Sequence, residues 1–272
     1  MASPVKFSIR LKLLLMMLVV VTAVVSIITF KIVSLFQKDK TIYLFDLTAV
    51  TALHLAEEAN SILLNYDERL QVFAQSLLSE QIPESGKEDY IKELLEHFDG
   101  FIAISLYNGK GQEEVSLLDE AQSGAAGLAR QDLTAYRLEH PIPFDHLTPG
   151  TPYLQHSTLL KTLPSFTLVR TVRDEAHDET FFVVAEIQLK KLLGLSGKSK
   201  VFETFLVDEA GTIISSSRMT SDEEGLDFQE DVSAIPVVKA FMTGKTFAET
   251  LEYEINGDAY LGAYARIEYG GF

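Results

Sequence analysis

The sequence predicts an α+β protein on a membrane: an N-terminal transmembrane helix, a long stalk helix, then two tandem strand-rich modules with antiparallel sheets. Three observations predict it. Leu13 to Phe30 (LLLMMLVVVTAVVSIITF) carries no charge. Apolar or small residues recur every three or four positions from Ile42 to Leu77. A strand–turn–strand figure occurs twice at a spacing of 100 residues, and each copy is later followed by a hairpin.

The uncharged run is the first element. Twelve of its eighteen residues are Leu, Ile, Val or Phe, each favouring membrane insertion by roughly 0.3–0.6 kcal/mol near a helix centre. Ile32, Val33, Leu35 and Phe36 extend it to the ~20 residues that span a bilayer core, so 13–36 reads as a transmembrane helix behind a cytoplasmic tail, 1–12. Lys12 and Lys31 lie where their stems can reach the interface. A cleaved secretory signal has an apolar core of about 7–15 residues and a small-residue cleavage site; this run is longer and no A-x-A site follows, which favours an uncleaved anchor. Lys6, Arg10 and Lys12 before it nearly balance Lys31, Lys38 and Lys40 after it, so loop charge orients the span only weakly.

Charge and composition exclude several functions. The net charge is −16; the first 40 residues contribute +5, leaving −21 for the rest. Such a surface is unsuited to nucleic acid and to anionic lipid. The absence of cysteine removes disulfides, thiolate metal sites and thiol nucleophiles.

The stalk helix is expected over 38–82, where neither Gly nor Pro interrupts the chain before Pro83. Ile42, Phe45, Ala49, Ala52, Ala56, Ala59, Leu63, Tyr66, Leu70, Phe73 and Leu77 form one seam of 3.5-residue period. A rod of this length measures roughly 60–70 Å, too long for the core of one small domain. Packing of the seam on the protein's own modules is expected, with a parallel dimer contact through part of it; the small central alanines would keep that contact weak.

The strand-rich part follows. Phe101–Tyr107 is a buried-strand run, Asn108-Gly-Lys-Gly111 a turn, and Gln112–Leu118 extended again. Val201–Val207, Asp208-Glu-Ala-Gly211 and Thr212–Ser216 repeat the figure, with Leu106, Asn108 and Gly111 matching Leu206, Asp208 and Gly211. Phe166–Arg173 and Thr180–Ile187 flank a charged turn. Thr246–Ile255 and Asp258–Ile267 flank Asn256-Gly257, a strong hairpin signal. Pro236–Met242 is the expected helix before that hairpin, ended by Gly244.

An anchor, a long helix and two such modules in this order resemble the double Cache (PAS-like) sensor domain of bacterial transmembrane receptors. Val207–Ser215, Phe166–Asp174, Phe181–Leu189 and Tyr260–Phe272 carry the resemblance, which covers roughly 38–272. It implies a membrane-distal Cache module, 83–197, and a membrane-proximal one, 198–272, truncated at its C-terminus before a final strand. It implies a main domain outside the bacterial cytoplasmic (inner) membrane, periplasmic, on a single span in this stretch of chain. It also implies a small-molecule ligand in the distal module, a carboxylate or amino-acid-like compound; the expected homodimer rests on the Ile42–Leu77 seam instead. The output would be a kinase, a cyclase, a cyclic-di-nucleotide enzyme or a chemotaxis rod outside these residues. The alternative is a membrane-anchored structural or interaction domain with no ligand; an extracytoplasmic hydrolase is disfavoured for want of a nucleophile set.

No catalytic constellation is expected, nor any cofactor or metal. His54, His97, His140, His146, His156 and His177 are scattered, and His140 and His146 beside Asp145 read as solvated loop residues rather than ligands. The resemblance implies a distal pocket drawn from Tyr136, Arg137, Tyr153, His156, Ser157 and Arg170. Arginine suits a carboxylate because its planar fork pairs bidentately. The amino-acid-binding branch shows an Arg-x-Trp-Tyr cluster; this chain has no Trp and offers Ala135-Tyr-Arg-Leu138. Arg170 is the expected anchor, since it shares a strand face with Phe166 and Leu168 and, pointing inward, needs a carboxylate from protein or ligand. For Tyr136 and Tyr153 the bland alternative is core packing.

Overall fold

The computed structural model describes residues 9–79, 84–160, 163–174, 177–197, 201–217 and 230–269, apart from the side chains of 84–85, 125–126, 156–160 and 163–164. Helix α1 (Ile9–Leu78) runs unbroken for 70 residues, about 105 Å. The expected anchor and stalk are therefore one element, because no Gly or Pro stands between them. Pro83 lies outside the described residues. The large apolar side chains from Leu13 to Phe36 are all exposed, and this helix is long and apolar enough to cross a membrane.

From Ala56 upward the same helix is half of a core. Ala56, Ala59, Leu63, Tyr66, Leu70, Phe73 and Leu77 bury against Phe101, Ile104, Phe166, Leu168, Val183, Ala185 and Ile187, so the upper seam packs on the protein's own sheet. Below it Ile42 is 51% exposed, while Phe45, Ala49 and Ala52 are half-buried. Tyr66 packs edge-on against Phe101 at 5.6 Å and Phe166 at 5.9 Å. Gly100, at φ +99°, must be glycine: a Cβ there would stand 2.6 Å from the Tyr66 hydroxyl.

The first module holds α2 (Glu84–His97), β1 (Phe101–Asn108), β2 (Glu113–Leu118), α3 (Glu120–Ala126) and α4 (Arg130–Glu139). A one-turn 3-10 helix (Phe144–His146), β3 (Tyr153–Leu160), β4 (Leu163–Asp174) and β5 (Glu179–Gln188) complete it. Its antiparallel sheet has the order β2-β1-β5-β4-β3. Central β5 is buried almost throughout, as expected for a strand covered on both faces. One face meets α1; the other meets α4 and the loop that follows it.

After α5 (Lys190–Ser196), the second module holds β6 (Phe205–Val207), β7 (Ile213–Ser216), α6 (Pro236–Thr243), β8 (Ala248–Ile255) and β9 (Asp258–Ala265). Strand β6 is shorter than the expected Val201–Val207. Among the described residues the strands form two separate ribbons, β6-β7 and β8-β9. The repeat seen in sequence is structural. Asn108 Oδ1 accepts from the N–H groups of Lys110 and Gln112 at 3.0 and 3.1 Å. Asp208 Oδ1 accepts from those of Ala210 and Thr212 at 3.0 and 2.8 Å. Gly111 and Gly211 close the two turns at φ +71° and +82°. Asn256 and Gly257, both at positive φ, make the expected β8–β9 hairpin turn.

Candidate functional site: the outer face of the first sheet

Alternation along β5 sends Phe181, Val183, Ala185 and Ile187 to the α1 core. Phe182 and Val184 go to the outer face, where they cluster with Tyr107, Ile142 and Val169, and with Phe144, Leu147 and Tyr153 at the margin. Glu186 continues that outer row and is fully buried. Cross-strand Thr167 donates its hydroxyl to both Glu186 carboxylate oxygens at 2.9 Å. Arg137 descends from the last turn of α4 and sets Nη2 2.9 Å from Glu186 Oε1, the two side chains being 11% and 0% exposed. Its Nη1 donates to the Tyr107 hydroxyl at 2.9 Å, and the Tyr107 hydroxyl donates to Glu113 Oε2 at 2.9 Å. The guanidinium carbon lies 5.6 Å from the Tyr107 ring centre.

The result is a hydrogen-bonded row, Glu113, Tyr107, Arg137, Glu186 and Thr167, that is exposed at Glu113 and runs inward to the buried Arg137–Glu186 pair. Burial pushes the Tyr107 hydroxyl up to about 12, with Arg137 pulling against the shift and Glu113 adding to it. Among the described residues Arg137 Nε is buried with no hydrogen-bond partner, which leaves one donor at the centre of the row open to an acceptor. Phe144 closes over the row, its ring 5.0 Å from Tyr107 and 4.8 Å from Phe182. A Cβ at Gly111 would stand 2.9 Å from Phe144, which brings the β1–β2 turn into the same cover.

The structure divides the expected site residues between places. Arg137 and Tyr153 lie on the outer face, Tyr153 at the margin with its hydroxyl pKa raised by burial. Tyr136 turns instead toward Ile102, Ala103, Leu128 and Leu133 and stacks on His140 at 4.4 Å. His156 and Ser157 sit on β3 opposite Phe166 and Ser165; their side chains are outside the described residues. Arg170 points inward as its strand face demands, but that face belongs to α1. Its carboxylate partner is Asp67, which makes a helix–sheet ion pair on the α1 side of the sheet. Burial and the adjacent Asp67 carboxylate also raise the pKa of Tyr269 on this side.

Sequence reading missed Glu186, Thr167 and Tyr107. The signal was present: Glu186 is the one charge inside Phe-Phe-Val-Val-Ala-Glu-Ile, and a carboxylate in a strand buried on both faces requires a partner. Among the described residues no group of three His, Asp or Glu side chains could hold a metal ion.

No protein-family model matches the sequence and no curated protein matches it; similarity appears in solved structures. The chain superposes on an extracellular ligand-binding receptor from Desulfohalobium retbaense with TM-score 0.50 at 14% identity, covering 80% of this chain and 40% of that one. It superposes on the extracellular domain named for the histidine kinase rpHK1S-Z16 with TM-score 0.53 at 12% identity, covering 88% and 93%. A third, the extracellular domain named for histidine kinase vpHK1S-Z8, gives 0.53 at 13% identity over 84% and 95%. The fold is similar to that of these extracellular domains: a long helix followed by two strand-rich modules.

Proposed function

We propose that this chain is the extracytoplasmic ligand-sensing region of a bacterial membrane receptor, taking a small zwitterion on the outer face of the first module. The observation that carries this reading is the buried Arg137–Glu186 pair with an unpartnered Arg137 donor. A buried ion pair contributes little net stability against an apolar replacement of the same volume. A ligand carrying both a carboxylate and an ammonium group can replace it charge for charge: the carboxylate meets Arg137, the ammonium meets Glu186, and neither protein charge is left alone. The Phe144 loop would have to lift and reclose, which gives the differential affinity for two arrangements that a population shift needs. The α1 anchor would hold the domain at the inner membrane, facing the periplasm. A homodimer would use the half-open stretch Ile42–Ala52, and an output domain outside this chain would read the change.

The second reading is a structural or interaction domain without a ligand. It draws support from Phe144, which already fills the space over the pair.

A thermal-shift panel on the detergent-solubilised chain separates the two. Zwitterionic amino acids, simple carboxylates and simple amines are each raised to saturation. A binder at 100 times its Kd stabilises by about 2.7 kcal/mol. Zwitterions should act, Arg137→Ala should abolish the response, and silence across the panel would favour the second reading.

A further inference from the structure

We infer that Asp67 is a joint between the two modules: one buried carboxylate on α1 for which Arg170 of the first module and the Tyr269 hydroxyl of the second compete. A displacement of β4 is thereby felt in the chain after β9. Arg170 on β4 donates from Nη1 to Asp67 Oδ2. The other carboxylate oxygen, Oδ1, is buried without a hydrogen-bond partner among the described residues. So is the Tyr269 hydroxyl.

Tyr269 comes to this carboxylate from the second module. It follows β9 and is buried with Ile267 in the core that α1 shares with both modules. Its N–H donates to Asn60 Oδ1 at 2.9 Å. Asn60 and Asp67 stand two turns apart on one side of α1, about 10 Å along the axis, and the Tyr269 ring bridges them. Burial first and the Asp67 carboxylate second raise the hydroxyl pKa, while Arg170 pulls it down. Strand β4, helix α1 and the segment after β9 thus each bring one group to a single buried point.

That point has two arrangements. In the one observed, Arg170 holds Asp67, and the Tyr269 hydroxyl beside it makes no hydrogen bond. A buried hydroxyl without an acceptor is costly, and a buried carboxylate without its cation more so. If β4 draws Arg170 back, the Tyr269 hydroxyl is left as the donor to Asp67 among the described residues. It must then turn to Oδ1 and draw the segment after β9 with it. Each contact shifts the other's equilibrium, and the linkage is reciprocal. Strand β4 also carries Thr167, which bonds Glu186 on the opposite face of the sheet, so one strand reaches both the outer-face row and the joint. Ligand control of the joint rests on the function proposed above; the joint itself does not.

The test is a double-mutant cycle on the detergent-solubilised chain, followed by urea unfolding with no ligand present. In the wild type, Tyr269→Phe removes an unsatisfied hydroxyl and should leave the unfolding constant unchanged or lower it. In Arg170→Met the same change removes the donor on which Asp67 then depends, and should raise the unfolding constant about tenfold or more. Adding Asp67→Leu to Arg170→Met should abolish that effect. Hydrogen exchange gives a local readout: Tyr269→Phe should cost the amide of residue 269 about tenfold in protection in the Arg170→Met background and nothing in the wild type. If Arg170→Met does not fold, Arg170→Lys, whose point charge lacks the guanidinium fork, must show the same change of sign at smaller size. An equal effect of Tyr269→Phe in both backgrounds would overturn the inference, as would an effect that survives Asp67→Leu. Silence in the thermal-shift panel would count against the ligand and leave the joint standing.

Discussion

Replacing Arg137 with Met removes the guanidinium while keeping an apolar stem in its place. Glu186 would remain fully buried, held by the Thr167 hydroxyl but without its cation. Removing one partner of a buried pair costs about 3–5 kcal/mol. The Thr167 bonds and the 11% exposure of Arg137 favour the lower end, so we expect a loss of about 3 kcal/mol. For a folded unit of this size that corresponds to roughly 6–12 °C in Tm. The double variant Arg137→Met/Glu186→Leu should recover most of the loss, because an apolar pair of similar volume needs no counter-charge. Urea unfolding followed by circular dichroism, run as a double-mutant cycle, measures the coupling. A loss below about 1 kcal/mol for Arg137→Met would refute the reasoning, as would a double variant as unstable as the sum of the singles. Either would mean that water reaches the carboxylate and the site is not the dry, charged row described above.

Arg170→Ala should destabilise the chain by about 2 kcal/mol, somewhat under the range for a fully buried pair since Arg170 and Asp67 are 23% and 13% exposed. Ligand stabilisation should persist in that variant, and its loss in a thermal-shift assay would return Arg170 to the pocket. Tyr66 and Tyr107 both have hydroxyl pKa values pushed up to about 12, chiefly by burial. The folded state therefore keeps protons that the unfolded chain releases near 10, so the contribution of these tyrosines to stability should be constant below pH ~10 and be lost between ~10 and ~12; ultraviolet phenolate titration and alkaline unfolding of Tyr107→Phe check it, and a fall that Tyr107→Phe leaves unaltered would remove Tyr107 as a cause. Asp119 caps α3, its Oδ1 accepting from Ala121 and Gln122 N–H groups at 2.8 and 2.9 Å, so Asp119→Ala should cost about 1 kcal/mol in chemical denaturation.

Much of the architecture was legible in order and type. The uncharged run and the 3.5-residue seam both required helix, and an unbroken α1 follows because nothing between them breaks one. The Asn256-Gly257 dipeptide fixed the last hairpin through its positive-φ preference. The match of Asn108 and Gly111 with Asp208 and Gly211 read as a repeat, and both turns use the same side-chain-to-backbone bonds. Strand β3 and helices α2 to α5 gave no clear signal. They are short, and packing on the sheet rather than local periodicity holds them.

The site was less legible. Strand alternation said truly that Arg170 points inward, but period 2 states which residues share a face and not what covers that face. Asp67, 103 residues away along the chain, supplied the answer. Arg137 was named as a candidate from its neighbourhood in sequence, whereas its partner Glu186 lay unremarked inside an apolar strand. By itself, then, the sequence determined the elements whose signals are local: the helix that can cross a membrane, the stalk seam, the turn chemistry and the doubled module. Only the tertiary structure decided which face of the first sheet the stalk covers. It alone decided that Glu186 meets Arg137 across 49 residues and that Arg170 meets Asp67. Those are pairings between distant segments, set by the packing of one layer on another, and no local pattern encodes a partner that only the fold brings near.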